Sequence, residues 1–308
     1  MPRIAYLDKV FKQSTLDTIA KADEIATEYQ RQGYELTLRQ LYYQFVARGF
    51  IPNSDKSYNR LGVIVSEARL TGLLDWHHIT DQTRYLRHWP GDDDPGSTII
   101  NAAQSYERDL WSVTNQPYRP EVWVEKDALV DVVARACGPH RVPHFSCRGY
   151  VSQSEMWRAG QRLRLYYQAG LTPVVIHLGD HDPSGLDMTR DITDRLALFT
   201  GQPVEVRRVA LNLDQVEQYS PPPNPAKVTD ARAARYIDQY GHESWELDAL
   251  EPSVLDRLIR DEVTPYVNQD DWREGVRQDL RDRELMIDMA SRWDDISYRW
   301  NEIEAMLG

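Results

Sequence analysis

Cysteine is nearly absent: the 308 residues contain two, Cys137 and Cys147. Two thiols are too few for a disulfide framework or for a zinc site of their own. Long apolar runs are also missing. No stretch approaches the ~20 apolar residues of a membrane span, and the N-terminus lacks the apolar core of a secretory signal. A cytoplasmic setting is the expectation. No internal repeat is visible. Lys and Arg, 36 in all, are outnumbered by 48 Asp and Glu, and the net charge of −12 argues against coating nucleic acid by bulk electrostatics.

What is present is the composition of a folded domain, 41% hydrophobic and 27% charged. The length suits two modest domains, or one large one with extensions. The charge is unevenly spread. Residues 31–90 carry eight Lys/Arg against five Asp/Glu, whereas residues 231–308 carry ten against nineteen. The N-terminal third can face a polyanion and the C-terminal quarter would repel one, although such runs are most often solvated faces. Pro90-Gly-Asp-Asp-Asp-Pro-Gly-Ser97 and Ser220-Pro-Pro-Pro-Asn-Pro225 read as breaks. They divide the chain into a helical part (1–90), an α/β part (98–230) and an acidic helical extension (231–308).

In the first part, Ser14 caps a helix running to about Gln32, where Gly33 stops it. Thr37 caps a second over Leu38–Arg48, and a third covers about Ser57 to Thr71. This pattern resembles a helix-turn-helix or winged-helix reader, a pattern that many three-helix units share without binding anything. Arg60, Arg69, Arg84 and Arg87 are candidates for DNA backbone contacts. The second part alternates strands (Val122–Val124, Val142–Cys147, Pro173–Leu178, Val204–Leu211) with helices (Asp127–Cys137, Ser152–Ala169, Leu186–Thr200), which implies a parallel sheet. At the C-terminus, Trp293, Ile296, Trp300, Ile303 and Leu307 form one apolar stripe. It either docks on the protein's own core or contacts a partner.

Two constellations carry chemistry. Val174-Val-Ile-His-Leu-Gly-Asp180-His-Asp182 is an apolar run ending in two acids, and Glu121-Val-Trp-Val-Glu125 is a second run ending in one. Strands that deliver carboxylates at their C-terminal ends suit a hard divalent cation, so Glu125, Asp180 and Asp182 are candidate Mg²⁺ ligands. His177 and His181 flank the pair, but on a strand and turn this spacing does not converge on a metal. The second constellation is Arg39-Gln-Leu-Tyr42-Tyr43. Leu38, Leu41, Tyr42, Phe45 and Val46 form the buried stripe of that helix, which leaves Tyr43 accessible beside the Arg39 guanidinium. A phenol with an arginine to stabilise its anion is what attack on a phosphodiester requires.

These residues carry a resemblance. Thr37-Leu-Arg-Gln-Leu-Tyr-Tyr43, Val124-Glu125-Lys126, Arg148-Gly149-Tyr150 and Asp180-His-Asp182-Pro-Ser-Gly185 are similar, in order, to motifs of the A subunit of type IIB topoisomerases (topoisomerase VI). The related meiotic double-strand-break transesterase shares them. The likeness covers most of residues 30–265, and Trp245-Glu-Leu-Asp-Ala-Leu250 also resembles a family segment. It implies a winged-helix domain followed by a TOPRIM metal-binding domain, to which the amphipathic C-terminal pattern adds a helical extension. It implies Tyr43 as nucleophile, Arg39 as its helper, Arg148 as further positive charge, and Mg²⁺ on Glu125, Asp180 and Asp182. It also implies double-stranded DNA as substrate and a homodimer in which the tyrosine of one subunit meets the metal site of the other. The sequence shows no GHKL ATPase region, so ATP-gated strand passage would need a separate subunit. The short length and acidic tail resemble compact stand-alone relatives. Alternatives are a hydrolytic TOPRIM nuclease in which Tyr43 is a bystander, and a non-catalytic DNA-binding module.

Overall fold

A computed structural model describes residues 3–80, 91–226 and 232–307. Arg84 and Arg87 lie outside the described residues. The chain forms an α/β protein with N-terminal helices, a four-stranded parallel sheet and C-terminal helices. Two compact units share it, one made of residues 1–84 and 120–264, the other of 85–119 and 265–308.

The first unit opens with α1 (Gln13–Arg31), α2 (Leu38–Ala47) and α3 (Asp55–Leu70). Thr37 caps α2 in a full capping box: its hydroxyl accepts from Gln40 N, and the Gln40 side chain accepts from Thr37 N. Ser54 caps α3, and its own N–H donates to the Tyr42 hydroxyl at 2.7 Å, which ties α2 to the start of α3. The sheet follows with β1 (Tyr118–Val124), α6 (Val130–Cys137), β2 (His144–Ser146), α7 (Gln153–Gln168), β3 (Thr172–Leu178), α8 (Pro183–Thr200) and β4 (Glu205–Ala210). Its order is β2-β1-β3-β4. The central strands β1 and β3 are buried almost throughout and the edge strands are half-exposed, as expected of a parallel sheet whose core strands are covered on both faces. Trp123, Met156, Leu163, Val175, Ile192 and Leu196 form a core between the sheet, α7 and α8. Beyond β4 come α9 (Leu213–Tyr219), the short pair β5 (Asn224–Pro225) and β6 (Glu243–Ser244), α10 (Ala233–Tyr240) and α11 (Pro252–Val263).

The second unit contains α4 (Pro95–Ser105), α5 (Leu110–Val113), α12 (Gln269–Ser291) and α13 (Trp293–Leu307). The structure therefore draws its boundaries elsewhere than the turn-rich segments suggest. The segment around 98–118 packs on α12, through the Trp111–Trp272 rings (centroids 5.3 Å apart) and Arg108 Nε on Asp279 at 2.6 Å. Within α13, Trp293 and Ile296 are half-buried while Trp300 and Ile303 are exposed, so the outer end of the apolar stripe is not docked. Among the described residues no helix is long and apolar enough to cross a membrane.

Candidate active site

The C-terminal ends of β1 and β3 lie side by side, with Glu125 N donating to Leu178 O at 2.8 Å. This neighbourhood brings two of the candidate acids together. Glu125 accepts from the Asp180 backbone N–H at 2.8 Å through Oε2. Gly179 sits between them because a Cβ there would lie 3.0 Å from Glu125 Oε2 and 3.2 Å from Arg208 Nη1. Asp182 has a different task. It is the N-cap of α8, accepting from Gly185 N at 2.6 Å and from the Ser184 hydroxyl at 2.9 Å. Gly185 is required by close approach, since a Cβ would fall 2.2 Å from the Asp180 carbonyl oxygen.

Arg208 was not among the sequence candidates, yet it braces the whole turn from β4. Its Nη2 donates to the carbonyls of Gly179 (2.9 Å), Asp180 (2.6 Å) and Leu211 (3.1 Å), and its Nη1 to that of Gly185 (2.9 Å). Burial pulls this guanidinium down to about 10. His177 and His181 serve packing. His177 is fully buried with Nδ1 2.9 Å from the Thr189 hydroxyl. His181 sits among the rings of Tyr236, Tyr240 and Trp245.

The backbone of His181 pairs in both directions with Trp245, at 2.8 and 3.0 Å. That bridge carries Glu246-Leu-Asp248 across the sheet edge. Leu247 N donates to Asp180 Oδ1 at 2.7 Å. Lys126, one residue past Glu125, then meets three carboxylates: Asp180 at 3.1 Å, Glu246 at 2.6 Å and Asp248 at 2.9 Å. Arg39, from the first turn of α2, reaches the same pair, bonding Glu246 and lying 3.2 Å from Asp248. Burial raises the Glu246 carboxyl, but Lys126 and Arg39 outweigh it and hold it at about 2. Asp180 goes the other way, pushed up to about 8 by burial despite Lys126.

Tyr43 is the main correction. The sequence pattern leaves it accessible, but only 3% of it is exposed. The Leu247–Ala249 turn packs on α2, and Asn224 Nδ2 lies 3.4 Å from the Tyr43 hydroxyl, so a second layer covers the face that helical spacing leaves open. Burial, with Asp248 and Glu246 nearby, pushes the phenol up to about 12. The Arg39 guanidinium stands 5.8 Å from the ring centroid. Asn224 Nδ2 is also 3.5 Å from Glu246, so polar contacts run from Tyr43 to the acids within one chain.

The remaining candidates stay apart from this cluster. Arg148 has a left-handed backbone (φ +54°) and pairs on the surface with Asp127 at 3.0 Å. Arg60 is exposed on α3. Arg69 lines a cavity of about 490 Å³ beside Arg39, donating to the Trp76 carbonyl at 2.9 Å and stacking 4.6 Å from that ring's centroid. Cys137 and Cys147 are buried, and burial pushes both thiols up to about 12, out of reach of neutral-pH nucleophilic chemistry.

Glu125, Asp180 and Asp182, the candidate Mg²⁺ ligands, each accept a backbone N–H on one carboxylate oxygen, and the Lys126 ammonium lies 3.1 Å from Asp180 Oδ1. Among the described residues, no group of three or more His, Cys, Asp or Glu side chains is placed to hold a metal ion. A scan against protein-family models and searches of curated proteins and of solved structures each found no match to this chain.

Proposed function

We propose that this chain cleaves double-stranded DNA by tyrosine transesterification, in the manner of the compact A-subunit-like relatives of type IIB topoisomerases. In that reading the N-terminal helices are the winged-helix part and the sheet is the TOPRIM part. The observation that carries it is the convergence of two separate sequence motifs on one spot. Arg39 and Tyr43 from α2 meet the acid-bearing edge of the sheet through Glu246 and Asn224.

Tyr43 Oη attacks the phosphorus and a 5′-phosphotyrosyl bond forms. The bond to the 3′ oxygen breaks, the phenol proton passes to solvent, and the departing 3′ oxygen takes a proton back from solvent to become a hydroxyl. Arg39 stabilises the charge that develops on the phosphate oxygens. The buried, protonated phenol is a resting arrangement, so the reaction requires Asn224 and the 245–248 segment to withdraw. A DNA phosphate entering beside Arg39 competes with Glu246 and Asp248 for the guanidinium and favours that withdrawal. Magnesium, a homodimer that exchanges tyrosines, further charge from Arg148 and a separate GHKL-type ATPase rest on the family resemblance alone.

The burial of Tyr43 favours a second reading, a hydrolytic nuclease in which the tyrosine is structural. Supercoiled plasmid, incubated with and without Mg²⁺ and quenched with detergent and protease, separates the two. Transesterification predicts cuts seen only after the quench and lost in Tyr43→Phe. Equal cutting by Tyr43→Phe with no protein on the DNA ends sinks it.

A further inference from the structure

A second feature near the acid-bearing turn has no part in that chemistry. A hollow of about 500 Å³ lies against the N-terminal part of α8, Pro183 to Arg190, and against α10. Its walls include three arginines, Arg190, Arg232 and Arg235, one acid, Asp187, and the rings of Tyr236 and Tyr240. In a chain of net charge −12, a concavity lined three to one by cations stands out from its surroundings. Arg190 is also paired with Asp194, which is not part of the wall, Nη1 to Oδ2 at 2.7 Å, and Asp187 bridges two of the three arginines. It accepts Arg190 Nε at 2.7 Å and Arg232 Nε at 3.0 Å, and the Tyr150 hydroxyl at 2.6 Å. Arg235 stands exposed on α10.

The hollow is tied to the turn that bears Asp180 and Asp182. Pro183, the residue after Asp182, is part of its wall. The Tyr236 hydroxyl lies 2.9 Å from His181 Nδ1 and 2.9 Å from the His181 carbonyl, and the Tyr240 ring centroid is 4.8 Å from that of His181. Guanidinium groups prefer phosphate oxygens, which they meet with several parallel N–H donors.

We infer that this hollow is a phosphate-binding site, and that its ligand is a backbone phosphodiester of a DNA strand lying alongside the Asp180–Asp182 turn. The identification of the strand as DNA rests on the proposed function; the phosphate site rests on the hollow itself.

The test measures binding of a labelled 20-base-pair duplex by fluorescence anisotropy, and of pyrophosphate by calorimetry, with full-length Tyr43→Phe protein so that no cleavage intervenes. The proteins compared are Arg190→Ala/Arg235→Ala and, as a charge-retaining control, Arg190→Lys/Arg235→Lys. Circular dichroism and thermal melting establish that each is folded. The inference expects the alanine pair to weaken duplex binding about tenfold and to lower the salt slope by about 1 to 2, with the lysine pair close to the parent. Unchanged binding of both probes by the alanine pair overturns it. Loss of pyrophosphate binding with duplex binding intact overturns the DNA assignment and moves the ligand to a free phosphate ester. Arginine-dependent duplex binding by a wild type that never cuts DNA would retire the cleavage reading while leaving this site standing.

Discussion

The sheet edge and helix α12 each hold a glutamate–cation pair at the same distance, for different ends. Lys126 and Glu246 are 2.6 Å apart with side chains 19% and 20% exposed, and Arg277 and Glu274 are also 2.6 Å apart at 61% and 57%. On α12 the partners are one turn apart, both are solvated, and salt screens them, so the pair adds little. At the sheet edge the charges come from α2, from the end of β1, from the β3 turn and from residue 246 onward, and most have left water. A buried charge that loses its partner is costly, so such a network specifies one arrangement rather than simply adding stability. That distinction separates a region that decorates a surface from one that fixes the geometry of a site.

The largest expected effect comes from removing the ammonium at the centre of the network. Lys126→Met leaves Asp180 without its cation and Glu246 and Asp248 with Arg39 alone, and urea unfolding should show a loss of about 3 to 5 kcal/mol. A loss below ~1 kcal/mol would mean that the network is solvated like α12. Gly185→Ala forces a Cβ onto the Asp180 carbonyl, and overpacking of this kind costs about 1 to 3 kcal/mol in the same measurement. An intermediate effect belongs to pH. Because the Glu246 carboxyl is held at about 2 in the folded state against an ordinary value near 4.5, its contribution is complete above pH 4.5. It is lost as pH falls from there toward 2, so Glu246→Gln should flatten the acid limb of a melting-temperature profile relative to wild type. An unchanged limb would place the acid sensitivity elsewhere. The smallest effect is on α12, where Glu274→Ala should leave the melting temperature unchanged within error at physiological salt.

Much of this region is legible in the sequence because local rules decide it. The strand–helix alternation fixes β1 through β4, Thr37 with Gln40 fixes the start of α2, and apolar runs that stop at acids place Glu125 and Asp180 at one sheet edge. Tyr43 shows where local reading ends. Helical spacing leaves its face open, and what covers it is Asn224 and the 246–249 turn, about 180 to 200 positions away in sequence. Lys126, Glu246 and Asp248 lie in segments that the family resemblance picks out, but the sequence assigns them no role, for a related reason. A lysine after a strand and acids near a turn are ordinary surface residues until the His181–Trp245 backbone bridge folds one over the other. Arg208 lies on an edge strand, with nothing in its neighbours to show that it braces four carbonyls. The segment around 98–118 looks like part of the sheet domain by position, and only its packing on α12 assigns it to the other unit.

The central claim is that the phenol buried at this edge is the group that joins to DNA. The most direct measurement traps protein–DNA adducts in denaturant, trims them with nuclease and protease, and maps the nucleotide-bearing peptide by mass spectrometry. The account predicts a single phosphotyrosyl nucleotide on Tyr43, absent from the Tyr43→Phe protein. Cleaved DNA with no modified peptide, or with the nucleotide on any other residue, would contradict it.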